Sequence, residues 1–336
     1  MNETNYKSQQ RKLQQERLTN PIFEGARNMG IFSGKQRQFV ICYEDSLKNL
    51  YAPIRQDALE YFERYNIVWW HQYEDRCFPT GHLLSSQIHC LNHLFAIRKD
   101  HDAVLAMIQT LGEKVGVHFD KVLPSPIDTQ EGYFDKELQK PVSNSNFISF
   151  EFVCHNIDML NETHESRGKN CTSVDAFIYA RAGKEYWLIP IEWKYTESYD
   201  PAADDVHNYS RYISFVGSNS RLLKWSNLFK KEPFYEFGRQ TLLMEQLIAN
   251  HPIVGKVSKQ HPEYLHPLKA DKFLHLIVVP NGNTELRADV KKFQAEIKED
   301  ARPYCMLLSP EELLNPLKQI DEYAPLVEYL ETRYWL

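Results

Sequence analysis

The chain has 336 residues, 43% of them hydrophobic and 25% charged, with a net charge of −6. That length can bury one large core or a core with an appendage, and the composition is that of a soluble globular protein. No apolar run approaches the roughly 20 residues a bilayer span needs, and the polar opening stretch lacks the apolar segment of a secretory signal. Six scattered cysteines without a C-x-x-C pair argue against a zinc ribbon or a disulfide framework and for a reducing cytoplasm. The acidic balance counts against a general nucleic-acid binder but leaves room for a local basic patch. Arg221, Lys224, Lys230, Lys231 and Arg239 form one such stretch and Lys256, Lys259, Lys269 and Lys272 another, with solvated surface lysines as the plain alternative.

In chain order, residues 1–20 are polar and Gln-rich and read as flexible. Helical periodicity follows over 43–70, with Ile54, Ala58, Leu59, Phe62 and Tyr65 on one stripe. Further helices are expected over 83–98, with Ser85 or Ser86 at its start, and over 101–112. Strands are expected over 147–155, 172–180 and 185–196. Helices are expected near 203–214, 219–230 and 233–250. The apolar run 274–280 suits a strand buried on both faces, followed by a helix near 286–299 and a strand at 304–308. Ser309 is a candidate N-cap for a last helix, with Pro310 in its first position and Glu311 and Glu312 in its first turn. The order predicts a mixed α/β fold: three strands in an antiparallel meander, and a later strand that returns after a helical crossover.

Gly183-Lys184 suits a two-residue type II′ turn between the second and third strands. Ala182 then pairs with Glu185, which puts Asp175 directly opposite Glu192 and Lys194 on the same face, opposite Ser173. Two like charges facing each other are destabilising, and a divalent cation is the natural compensation. Two carboxylates with open positions around them suit Mg²⁺, which binds phosphate oxygens and activates water. Lys194 can orient or deprotonate that water or neutralise developing charge. A three-residue loop would shift the register and turn one carboxylate away, and Pro190 implies an edge strand or a bulge.

The segments N-C-T-S-V-D-A-F (170–177) and I-E-W-K-Y-T-E-S-Y (191–199) resemble the PD-(D/E)XK nuclease superfamily, in particular a restriction-endonuclease-like branch. Ser85-Ser86-Gln87 with Asn92, Phe150-Glu151-Phe152 and Arg239-Gln240 extend the similarity over roughly residues 80–310. The resemblance implies an α-β-β-β-α-β core, a mixed sheet flanked by helices. It implies Asp175, Glu192 and the Trp193 carbonyl as metal ligands and Lys194 as the catalytic lysine. Val174 stands where the superfamily has its nominal Pro. Gln87 stands nearest to the Glu that many members carry on the first core helix, and is a candidate for positioning water or metal.

Other signals are weaker. His89 and His93 have the i, i+4 spacing of a helical zinc site, but Cys90 replaces the Glu that such a protease needs, and packed histidines explain them better. Glu151, Glu162 and Glu165 could approach the metal, with solvated acids as the default. Arg239 and Gln240 can reach a phosphate; an ordinary helix surface is the alternative. The expectation is a cytoplasmic, Mg²⁺-dependent endonuclease (Mn²⁺ substituting) that hydrolyses DNA phosphodiester bonds in restriction or defence. Residues 1–78 are an N-terminal segment with extra helices, available to bind DNA or a second copy of the chain in a homodimer, and 79–336 form the nuclease core. The alternatives are a non-catalytic nucleic-acid-binding or assembly module that keeps the fold, and a glycosidase pairing Asp175 with Glu192, against which Lys194 argues.

Overall fold

The hairpin that Gly183-Lys184 predicts lies at the centre of the molecule. The structure is a computed structural model. It describes residues 5–70, 78–126, 134–135, 140–141, 146–154, 157–162, 171–200, 202–203, 205–206, 209–254 and 267–335. The first helix, α1 (Asn5–Arg17), precedes a hairpin of β1 (Asn28–Phe32) and β2 (Lys35–Ile41). Then come α2 (Arg55–Arg64), α3 (Ser86–Leu94) and α4 (His101–Lys114). β3 (Lys121–Leu123) and a minor ladder of β4 (Phe134–Asp135) with β5 (Lys140–Pro141) lead to the central strands. These are β6 (Ile148–Val153), β7 (Ser173–Ala182) and β8 (Glu185–Trp193). After them lie α5 (Phe234–Asn250), β9 (Lys272–Phe273), β10 (His275–Val278), α6 (Thr284–Glu296), β11 (Cys305–Leu308), α7 (Pro310–Leu314) and α8 (Ala324–Arg333).

The main sheet is mixed and flanked by helices. β6, β7 and β8 form an antiparallel meander; α5 crosses over to β10, which runs parallel to β8, and β11 runs parallel to β10. The β7–β8 register runs unbroken from Ala182↔Glu185 to Ala176↔Ile191, as the two-residue turn requires. Gly183 sits at φ +59°, where a side chain would be strained.

Pro190 departs from expectation. It lies in a central strand, pairs with Phe177 and causes no register shift. On the other side of β8, the parallel ladder breaks at Leu274, between the β9 pairing of Leu188 with Phe273 and the β10 pairing of Ile191 with Leu276. The Leu274 amide donates to the Leu188 carbonyl, so the next ladder bond would need an amide at 190; the donor that Pro190 lacks leaves that one gap without shifting the register.

Several expected helices differ. The stretches 203–214 and 219–230 form 3₁₀ turns, Tyr209–Phe215, Gly217–Asn219 and Asn227–Lys230. Gly217 has φ +70°, and the hydroxyls of Ser220 and Ser226 accept from the amides of Leu222, Leu223 and Leu228. Local side-chain bonds of this kind compete with an α-helix. The 43–70 stretch is α-helical only in α2, with 3₁₀ turns before it. The β1–β2 hairpin went unanticipated although Ser33-Gly34, both at positive φ, is a type I′ turn signal. Ser309 caps α7 as expected: its hydroxyl accepts from the Glu312 amide, and the Glu312 carboxylate accepts from the Ser309 amide.

The polar opening read as flexible is helical over its described part, and it buries glutamines rather than apolar groups. Gln14 Nε2 donates to the Arg333 carbonyl (2.9 Å) and to the Tyr195 hydroxyl (3.3 Å), which itself donates to Gln10 Oε1 (2.8 Å). Arg333, fully buried, donates to the Asn49 carbonyl and the Tyr329 hydroxyl at 2.6 Å each and to Asn49 Oδ1. One continuous buried cluster runs from Leu50 to Trp335. Among the described residues, no helix is long and apolar enough to cross a membrane.

Candidate functional site

The strand registers bring three acids into one row. Phe150 pairs with Ala176 and Phe152 with Val174, so Glu151 of β6 stands beside Asp175. Ala176 pairs with Ile191, so Asp175 stands next to Glu192. The Asp175 carboxylate accepts from the Trp193 amide at 2.7 Å. Lys194, just past the end of β8, projects from the Glu192 face, with Nζ 2.6 Å from Glu192 Oε1. A cavity of about 260 Å³ joins these residues, lined also by Trp70, Ser85, Ser86, Gln87, Ser173, Glu236 and Arg239.

α5 supplies the second layer. Glu236 Oε2 lies 2.5 Å from Lys194 Nζ, so the ammonium sits between two carboxylates. One helical turn on, Gln240 donates to Glu192 Oε2 and to the Ser173 carbonyl. Sequence reasoning missed Glu236; its spacing of three from Arg239 and four from Gln240 on one helix face was the available signal.

The electrostatics follow from burial and crowding. Burial holds the Asp175 carboxyl well above the usual carboxylate range, and the charges of Glu192 and Glu151 push the same way. Burial and Glu236 push Glu192 up to about 7 against the pull of Lys194. Burial disfavours the Lys194 charge, but Glu192 and Glu236 outweigh it and hold the amine well above its ordinary range. Glu236 is likewise opposed by burial, yet Lys194 and Arg239 hold it below the ordinary value. Lys194 is therefore a cation at neutral pH in this arrangement, suited to stabilising charge rather than to taking a proton.

An acid with a raised folded-state pKa costs stability above that pKa and nothing below its unfolded value. Without divalent cations, the Glu192 contribution should lower the melting temperature as pH rises from about 4.5 to about 7. Glu192→Gln should flatten that part of the profile. Melting curves in EDTA across this range check it; an unchanged slope in the variant would contradict the assigned environment.

Gln87 is placed in the cavity wall, but its amide is spoken for. It donates to Glu151 Oε1 (2.8 Å) and to the Val68 carbonyl (3.2 Å) and accepts from the Trp70 amide (3.0 Å). The Trp70 indole also donates to Glu151 Oε1 (3.2 Å). Glu151, read by default as a solvated acid, is 5% exposed and adopts φ +50°, rare for a non-glycine. Glu162 was also read as solvated. It is buried elsewhere, accepting from Thr172 and from the Tyr212 hydroxyl. Glu165 lies outside the described residues. His89 and His93 are packed: Trp193 Nε1 donates to His89 Nδ1 (2.6 Å), Trp335 Nε1 donates to His93 Nε2 (3.1 Å), and burial lowers both pKa values.

Described members of the basic stretches make local contacts. Lys231 pairs with Asp205 (3.1 Å), Lys224 donates to the Ala295 carbonyl (2.9 Å), and Lys272 reaches Glu185 (4.0 Å). Lys256 and Lys259 lie outside the described residues. Arg239 alone of the group reaches the cavity.

Among the described residues, no three His, Cys, Asp or Glu side chains are grouped to hold a metal. The candidate set is two carboxylates, Asp175 and Glu192. The Asp175 carboxylate stands beside Glu192 and Glu151, crowding that a cation would relieve, and so small a set suits an ion that keeps much of its water, as Mg²⁺ does.

A family model described as "Restriction Endonuclease associating with ARP" matches residues 8–335. No curated protein and no solved structure matches the chain.

Proposed function

The chain belongs to the family of restriction endonucleases associating with ARP, and from that premise we propose that it is a Mg²⁺-dependent endonuclease of the PD-(D/E)XK type that hydrolyses DNA phosphodiester bonds in restriction or defence. The observation that carries this reading is the contact of Lys194 with Glu192 beside Asp175, on one cavity at the end of two paired strands. The helix, three-strand meander, helix and parallel strand agree with it.

Asp175 and Glu192, with the Trp193 carbonyl, are the groups that would hold the cation. When bound, Mg²⁺ supplies Lewis acidity and lowers the pKa of an attacking water. Gln240 fixes the Glu192 carboxylate from behind. Lys194 Nζ, held by Glu192 and Glu236, offers positive charge to the phosphate oxygens as the transition state forms. The Gln87 side-chain amide acts by positioning Glu151 and Trp70 rather than by touching the substrate.

Incubating the protein with several unrelated plasmids in Mg²⁺, Mn²⁺ and EDTA tests the proposal. Cleavage or nicking is expected with either metal and none in EDTA, and Lys194→Ala should slow it by roughly 10²-fold or more. The family description also names association with ARP, which favours a second reading as a non-cutting assembly module. Salt-sensitive DNA binding without cleavage on any substrate would support that reading; the intact Asp175, Glu192 and Lys194 set weighs against it.

A further inference from the structure

The cavity carries a second cation, which faces Glu236 without a direct ion pair among the described residues. Arg239 lines it, yet among the described residues its guanidinium makes no ion pair and no hydrogen bond. Its Nε is buried without a partner, and its ordered contact is with the Tyr235 ring, 5.3 Å away. Leaving a buried guanidinium donor unsatisfied costs more than leaving it exposed. Lys194, in the same cavity, is held in place by direct contacts with Glu192 and Glu236. Arg239 feels the charges of Glu236 and Glu232, but its Nε has no hydrogen-bond partner among the described residues.

A second element points into the same space. α3 starts at Ser86, and Ser85 and Ser86 both line the cavity. The Ser85 hydroxyl accepts from the Ile88 amide, so the helix is capped at its third residue. The amides of Ser86 and Gln87 belong to the first turn, whose N–H groups have no partner within the helix. Such a turn, with its partial positive charge, accepts a phosphate. The Ser86 hydroxyl adds another donor, without a partner among the described residues. An arginine fork and a helix N-terminus on one small cavity make a matched set of donors for a tetrahedral dianion or diester.

We propose that Arg239, together with the Ser86 hydroxyl and the first-turn amides of α3, forms a phosphate seat that holds the scissile phosphate against the Asp175–Glu192 pair. This rests on the nuclease reading for the identity of the ligand, a nucleic-acid backbone phosphate, but not for the existence of the seat. It gives the Arg-Gln pair of α5 two separate tasks: Gln240 holds Glu192, and Arg239 holds the substrate.

Two measurements test it. In the Asp175→Asn background, where no cleavage should compete, the affinity for a labelled DNA duplex is read against salt. Adding Arg239→Gln should reduce the slope of log affinity against log salt by about one unit, the signature of one lost phosphate contact, and Arg239→Lys should keep it. Separately, inorganic phosphate at constant ionic strength in Mg²⁺ should raise the melting temperature of the otherwise wild-type protein but not of Arg239→Gln or Ser86→Asp. Ser86→Asp guards against misfolding, because an acid in the first turn favours the helix while repelling phosphate.

An unchanged salt slope, a phosphate response that survives in Arg239→Gln, or no phosphate response in the wild type overturns the proposal. If DNA is cut but neither readout depends on Arg239, the nuclease reading stands and the seat falls. If DNA is neither bound nor cut yet phosphate stabilises the protein through Arg239, the seat stands and the nuclease reading falls.

Discussion

Asp175→Asn is expected to lose DNA cleavage by at least about a thousandfold and, in EDTA, to melt several degrees above the wild type. The two effects share one cause. Burial, Glu192 and Glu151 together hold the Asp175 carboxyl well above its ordinary range. Near neutral pH, folding must therefore bury a crowded charge or take up a proton, and either costs stability relative to the unfolded chain. Asparagine removes that cost and keeps an oxygen to accept from the Trp193 amide, but it is a poor ligand for a hard cation. Added Mg²⁺ should raise the melting temperature of the wild type and leave the variant unmoved. A variant that melts lower than the wild type in EDTA would show that Asp175 is a structural acid. Cleavage at the wild-type rate would remove it from the chemistry.

Arg333→Ala is expected to be strongly destabilising, by about 3–5 kcal/mol. The guanidinium is fully buried, and it satisfies the Asn49 carbonyl and amide oxygen and the Tyr329 hydroxyl. It also lies over the Phe23 and Tyr334 rings, 4.7 Å from each centroid. Truncation leaves buried acceptors unpaired and opens a void between aromatic rings. For a chain of this size the melting temperature should fall by roughly 5 °C. Arg333→Lys should recover little, since an ammonium cannot reproduce the planar fork. Thermal melts decide it, and an alanine variant within a degree or two of the wild type would sink the assignment.

What could be read from the residues alone was whatever depends on neighbours in sequence. A single glycine at 183 determined which residues face each other across β7 and β8, because a two-residue turn leaves the register no freedom. Ser309, Pro310 and Glu312 announced α7 for the same reason. Glu236 and Glu151 were harder. Glu236 reaches Lys194 across 42 positions, and Glu151 meets Gln87 across 64. Their distances are set by helix and sheet packing, which no local pattern encodes. Pro190 does remove a ladder donor, but the sheet takes the loss as a single gap between the β9 and β10 pairings rather than as an edge or a bulge. The glutamines of α1 misled because polarity was read as exposure, while here amide side chains answer buried hydroxyl and carbonyl groups.

The bond from Gln14 to the Arg333 carbonyl joins residues 319 positions apart, and both meet behind Tyr195, the neighbour of Lys194. This fastening closes a loop of nearly the whole chain, so it forms late in folding, after local helices and the hairpin. On the ribosome it must wait until residue 333 has been made.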